Sequence, residues 1–177
     1  RKGETVMKIL AINPISFKKR MTEFLFDYLF ILAYLVLLFL GSMLIYIIFF
    51  NGVPEFTEIQ SQWLVFFTSV LPITLLFTFL DYKNDAVWEG KSGTGTGLLE
   101  KNSAASLIRN TIKFLPWQLG HMGTIHGVYS EFDVLSISLS ISATLLAVLL
   151  LAMTMFRNDK RHLGDLLAHT QVQLKGD

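Results

Sequence analysis

"FLFDYLFILAYLVLLFLGSMLIYIIFF", residues 24–50, decides the architecture of this chain. It runs for 27 residues with one charged side chain, Asp27. A bilayer core needs about 20 helical residues, so this stretch spans it with some tilt. The run is too long for the apolar part of a signal peptide, and no A-x-A-like cleavage site follows it. The composition agrees. The 177 residues are 52% hydrophobic and only 16% charged, against about 25% charged in soluble domains. A net charge of +1 leaves no basic surplus to neutralise phosphates, which excludes nucleic acid as a partner. Without cysteine there are no disulfides, thiolate metal sites or cysteine nucleophiles. Arg1 is not an initiator residue, and native residues are expected ahead of it.

Two further apolar runs follow. "WLVFFTSVLPITLLFTFL" covers 63–80 and holds Pro72, which predicts a kink whose freed carbonyl a neighbouring helix must satisfy. "VLSISLSISATLLAVLLLAMTMF" covers 134–156, where Ser136, Ser138, Ser140, Ser142 and Ala143 would let another helix approach closely. Between them, "SLIRNTIKFLPWQLGHMGTIHGVY", 106–129, is apolar enough to touch lipid and too polar to lie in it alone.

Charge placement bears on that middle segment. Lys2, Lys8, Lys18, Lys19 and Arg20 precede the first span, while Arg157, Lys160 and Arg161 follow the last. Both ends therefore read as cytoplasmic, which needs an even number of crossings. A fourth crossing over 109–128, bent at Pro116, puts Arg109 and Lys113 inside and the acidic loops around Glu55, Glu58 and 129–133 outside. The competing reading is an interfacial amphipathic helix or a re-entrant loop. The expected fold is an all-α membrane protein. It is a small transmembrane helical bundle, with three clear spans plus a fourth, bent, partly polar membrane segment.

Asp27 is the most informative residue. A carboxylate inside a span is costly and marks a functional or structural polar contact. Arg20 lies seven residues earlier, about two turns and about 10 Å away, on nearly the same face. Side chains lean toward the helix N-terminus, so Asp27 tilts toward Arg20. Glu23 falls on the same stripe, and steps of seven continue it to Tyr34 and Gly41. This stripe reads either as an ion network that fixes helix packing or as a cation or proton site.

The pattern "KRMTEFLFDYL", 19–29, resembles the RDD family of small membrane proteins, named for one arginine and two aspartates. In that family an Arg and an Asp open the first span, as Arg20 and Asp27 do here. The second Asp follows the last span in a stretch similar to Arg161-His162-Leu163-Gly164-Asp165-Leu166-Leu167-Ala168-His169-Thr170. His169 stands where the family usually has Gly. "LIRNTIKFLPWQLGH", with Arg109 and Pro116-Trp117, also resembles one branch of the family. The resemblance covers about 15–172. It implies a cytoplasmic segment over 1–19, an RDD-like transmembrane domain over 20–172, a tail over 173–177, and a charge network of Arg20, Asp27 and Asp165. Among family members, some are linked to cation/proton exchange and others look like partners of larger membrane machines.

The remaining chemistry is weighed against plain structural roles. Asp165 suits a helix N-cap, an arginine partner (Arg20 or Arg109), or both at once. His121, within the polar third segment, suits a proton relay or an ordinary hydrogen bond. His121 and His126 lie on different faces and lack a third ligand, so no metal is expected. No G-x-S-x-G or H-E-x-x-H is present, so an enzyme is not expected. "EGKSGTGTG", 89–97, mimics a phosphate loop, but the position of its first glycine is Asp85 and a membrane helix precedes it. It reads as a cytoplasmic hinge, with no nucleotide and no other cofactor. Two functions stay open. One is an accessory or interaction subunit, or a homo-oligomer, docked in the cell membrane. The other is antiport-like movement of a monovalent cation or proton past Asp27. Glu23, Tyr34, Arg109 and His121 are supporting polar residues in either case.

Overall fold

The computed structural model describes residues 17–83, 103–159 and 161–168, with the side chains of Phe17, Lys19, Arg20 and Glu23 outside that description. The described part is 87% helical and contains no strand. Helix α1 is Phe17–Phe50, α2 is Glu58–Lys83, α3 is Ser103–Tyr129, α4 is Val134–Phe156 and the short α5 is Leu163–Leu167. The chain is all-α, and three of its helices, α1, α2 and α4, are long and apolar enough to cross a membrane. The expected hinge within 86–101 and the tail over 173–177 lie outside the described residues.

The ends of these helices follow from local chemistry. The spans at 24–50 and 134–156 have the apolar limits expected. Helix α1 stops where Asn51 and Gly52 take φ of 55° and 151°, a region that Asn and Gly tolerate best. Helix α2 begins five residues before the expected Trp63, because Thr57 caps it. The Thr57 hydroxyl accepts from the Gln60 amide, and the Gln60 side chain accepts from the Thr57 amide. This reciprocal box satisfies two amide donors that a polar first turn would otherwise leave to water.

Inside α2 the expected disturbance at Pro72 takes a specific form. Pro72 has no N–H to give to the carbonyl of Thr68, four residues earlier. The helix widens into a π turn over Phe66–Val70, with the Leu71 amide reaching back to the Phe66 carbonyl. The Thr68 carbonyl is taken by the Tyr34 hydroxyl of α1 at 2.5 Å. A neighbouring helix thus satisfies the carbonyl that proline released.

Helix α3 is longer than the expected 109–128 and is continuous through Pro116. By contacts the described residues divide into two compact units, one with 17–20, 75–83, 103–113, 148–159 and 161–168, and the other with 21–74 and 114–147. In the second unit α3 and α4 meet at small residues. A Cβ on Gly123 would sit 2.6 Å from Ser140 Oγ and 3.0 Å from the Ser136 carbonyl oxygen, so only glycine fits there. Ser136, Ser140 and Ala143 therefore permit the approach expected of them. Ser138 and Ser142 are exposed, because rotation of about 100° per residue carries alternate serines away from the contact. The serine hydroxyls bond back to carbonyls of their own helix, as Ser140 does to Ser136 at 2.9 Å.

Candidate functional site

In the unit that contains 75–83, 103–113 and 161–168, charge is gathered around Arg109 of α3. Its Nε lies 2.8 Å from Asp165 Oδ1 and its Nη1 lies 3.3 Å from Asp81 Oδ2. The Nε–H is not aimed along the shorter contact, so this is a close charge contact and not a linear hydrogen bond. Asn110, the next residue on α3, is fully buried and donates from Nδ2 to Asp81 Oδ2 at 2.7 Å and to the Ser106 carbonyl at 2.9 Å. One arginine and two aspartates thus meet here, Arg109, Asp81 and Asp165, while the Arg20 side chain of the expected network lies outside the described residues.

The segment 161–168 presents Asp165 through its own capping geometry. His162 is the N-cap of α5, and its Nδ1 accepts from the Gly164 amide at 3.0 Å. That acceptance fixes the remaining ring proton on Nε2, which faces Asp165 Oδ2 at 3.4 Å. Asp165 Oδ2 accepts from the His162 amide at 3.1 Å, closing a capping box. Asp165 is therefore the third residue of α5 and not its cap, and its carboxylate serves the helix end and the arginine together. It is only 1% exposed, so the charge pair is desolvated. Gly164 is required here, since a Cβ would lie 2.7 Å from the Arg109 carbonyl oxygen. Beside the cluster, Lys113 Nζ stands 4.5 Å from the Phe77 ring centroid, a cation–π contact. Past the end of α4, Arg157 holds Asp159 through two bonds of 2.9 and 2.8 Å, and this guanidinium keeps the Asp159 carboxyl below its usual range.

A second cluster lies in the unit 21–74 with 114–147. His126 of α3 places Nδ1 2.7 Å from Glu58 Oε1 and Nε2 3.4 Å from Asp133 Oδ2. Asp133 also caps α4, accepting the Ser136 amide on Oδ1 at 2.9 Å. Tyr129 donates to the Phe56 carbonyl at 2.6 Å, and its oxygen lies 2.9 Å from the Ser61 hydroxyl. The acidic loops that charge placement grouped together do share this histidine.

The expected residues distribute unevenly over these two clusters. Asp165 and Arg109 meet, as one of the two arginine alternatives required. Asp27 is half-buried on α1, whereas the side chains of Arg20 and Glu23 lie outside the described residues. Tyr34 serves α2 through Thr68. His121 packs its ring 5.6 Å from that of Trp117, and its buried Nε2 has no hydrogen-bond partner among the described residues. Sequence reasoning missed Asp81, Asn110, Glu58–His126 and Asp133. Asp81 was findable as an acid closing the second apolar run, and Thr57-x-x-Gln60 as a capping box. The pairing of His126 was not, because its partners come from other helices. No family model, no curated protein and no solved structure matches this chain.

Proposed function

We propose that this chain is a small polytopic, RDD-like membrane protein that works as an interaction or accessory subunit, or as self-associated copies, with both termini in the cytoplasm and α3 as a fourth crossing. The observation that supports this reading is the state of α1. None of the residues in its most apolar window is buried within the chain, against 28% for α2 and 17% for α4. A spanning helix with so little of its own fold upon it offers its surface to lipid or to another protein, and helix association in membranes rests on such packing. The described charges fit the same role, since Arg109, Asp81 and Asp165 are spent on one another. The absence of cysteine makes the test direct. Single cysteines at Leu37 and Ile48, both exposed on α1, should crosslink in native membranes to a second copy or to a distinct protein. Crosslinks confined to lipid-reactive probes at both sites would defeat the proposal.

A second reading, movement of a monovalent cation or proton past Asp27, is supported by the half-buried carboxylate within the first apolar helix. Purified protein in proteoliposomes should then show a cation or proton flux that Asp27→Asn abolishes. No flux, or a flux unchanged by that substitution, removes this reading and leaves the first.

A further inference from the structure

The connection from α3 to α4 is tense. Glu131 and Phe132 have φ of 54° and 58°, two consecutive non-glycine residues in the left-handed region, where Cβ crowds the backbone. The Phe132 amide donates to the Gly127 carbonyl at 2.8 Å, the closure of a helix C-terminus that usually places glycine where Glu131 stands. The Phe132 ring rests on Gly127 so closely that a Cβ there would lie 2.6 Å from Cδ1. Such a loop needs an external hold, and Asp133, the residue after the strained pair, supplies one through His126.

The hold depends on a proton. Glu58 and Asp133 present carboxylate oxygens, which only accept. A neutral imidazole has one N–H, so it serves one of them and turns a lone pair on the other; the imidazolium serves both. The contact with Glu58 is shorter, 2.7 against 3.4 Å, so the last ring proton stays on Nδ1. Loss of the other opposes Nε2 to Asp133. Asp133 keeps the Ser136 amide on its other oxygen, and the Ser130 hydroxyl beside it, so the α4 cap survives while the tie to His126 is lost.

We propose that residues 130–133 form a proton-operated clasp, closed while His126 carries both ring protons and released, with Glu131 and Phe132 leaving the left-handed region, when one departs. The groups that face His126 are Glu58 from α2 and Asp133 from the connection. At the end of α3 the Tyr129 hydroxyl is occupied by the Phe56 carbonyl, and just past it the Ser130 hydroxyl bonds the His126 carbonyl and also faces Asp133. His121, five residues earlier, stacks toward Trp117.

The test is amide hydrogen exchange at Phe132 in the full chain, in micelles, between about pH 5 and 8, where histidine titrates. After correction for intrinsic exchange, protection should fall with rising pH by up to about tenfold per unit, the limit for one proton. His126→Gln should flatten this dependence, and so should Asp133→Asn, which keeps a helix cap while removing the carboxylate. His121→Gln should leave it intact. Unchanging protection in the native chain overturns the clasp. So does a dependence that survives in His126→Gln, or that survives in Asp133→Asn should the histidine variant fail to fold, or that follows His121 instead.

Discussion

Asp165 shows how much one side chain carries in this protein. Its two oxygens close the capping box of α5 and hold Arg109, with almost no water in contact. Removing one partner of a buried pair strands the other charge, at a cost of about 3–5 kcal/mol. Asp165→Ala leaves Arg109 with Asp81 alone and should therefore lower unfolding stability in mild detergent by up to about that amount. The double variant Arg109→Met, Asp165→Leu should recover part of it, because Asp81, the one charge of the three that then remains, is a quarter exposed and keeps the Asn110 amide. Equal losses in the single and double variants would show that packing, and not charge, is what the pair supplies. Tyr34 is a smaller case. Tyr34→Phe uncovers the Thr68 carbonyl, and hydrogen bonds between membrane helices average about 0.6 kcal/mol. Its expected cost is thus under about 2 kcal/mol, read by the same unfolding measurement.

Between helices, backbone approach matters more than hydrogen bonds. Gly123 faces the Ser136 carbonyl and the Ser140 hydroxyl with no room for a methyl group. Gly123→Ala should destabilise the 21–74 and 114–147 unit by about 1–3 kcal/mol, the usual range for overpacking. Gly41, which has open space around the same added atom, is the matched control and should tolerate alanine within about 1 kcal/mol. The start of α4 carries an acid limit. The Ser136 amide first, and His126 after it, hold the Asp133 carboxyl below its ordinary 3.8. A carboxyl depressed in the folded state stabilises fully above its unfolded value and loses that contribution as pH falls through the folded one. Exchange at the Ser136 amide should therefore lose protection only well into the acid range, below about pH 4, and Asp133→Asn should remove that step.

For the molecule in its membrane, the proposed orientation has a consequence for the unbroken cell. A membrane-impermeant amine reagent added outside should spare Lys91, whereas lysines introduced into the 51–57 and 130–133 connections, which have none of their own, should react. Reaction at Lys91 from outside would invert or abolish the proposed four-crossing topology. The helix at issue is α3, whose Arg109, Asn110, Lys113, Gln118 and two histidines lower its hydropathy below that of the other three. Three of these residues have protein partners that composition does not count. Arg109 and Asn110 turn to Asp81 and Asp165, and His126 turns to Glu58 and Asp133. Composition judges a helix alone, but a helix packed among others is judged by what it meets.

The length of an apolar run is a local property, and the limits 24–50 and 134–156 were readable residue by residue because hydrocarbon thickness sets them. Proline at 72 likewise announced a freed carbonyl, and the serines of α4 announced a close approach. Which side chains meet was another matter. The heptad stripe of α1 groups Arg20 with Asp27, a pairing outside the described side chains, and it gives no hint that Asp81 and Asp165, 84 residues apart, converge on Arg109. Asp165 reads from sequence as a helix cap, an arginine partner or both; it meets Arg109, while the backbone gives the cap position to His162. Periodicity fixes the face of a helix on which a residue lies. It says nothing of which other helix turns toward that face, because that choice is made by packing at contacts such as Gly123 and Gly164, where the absence of a single carbon lets two backbones close.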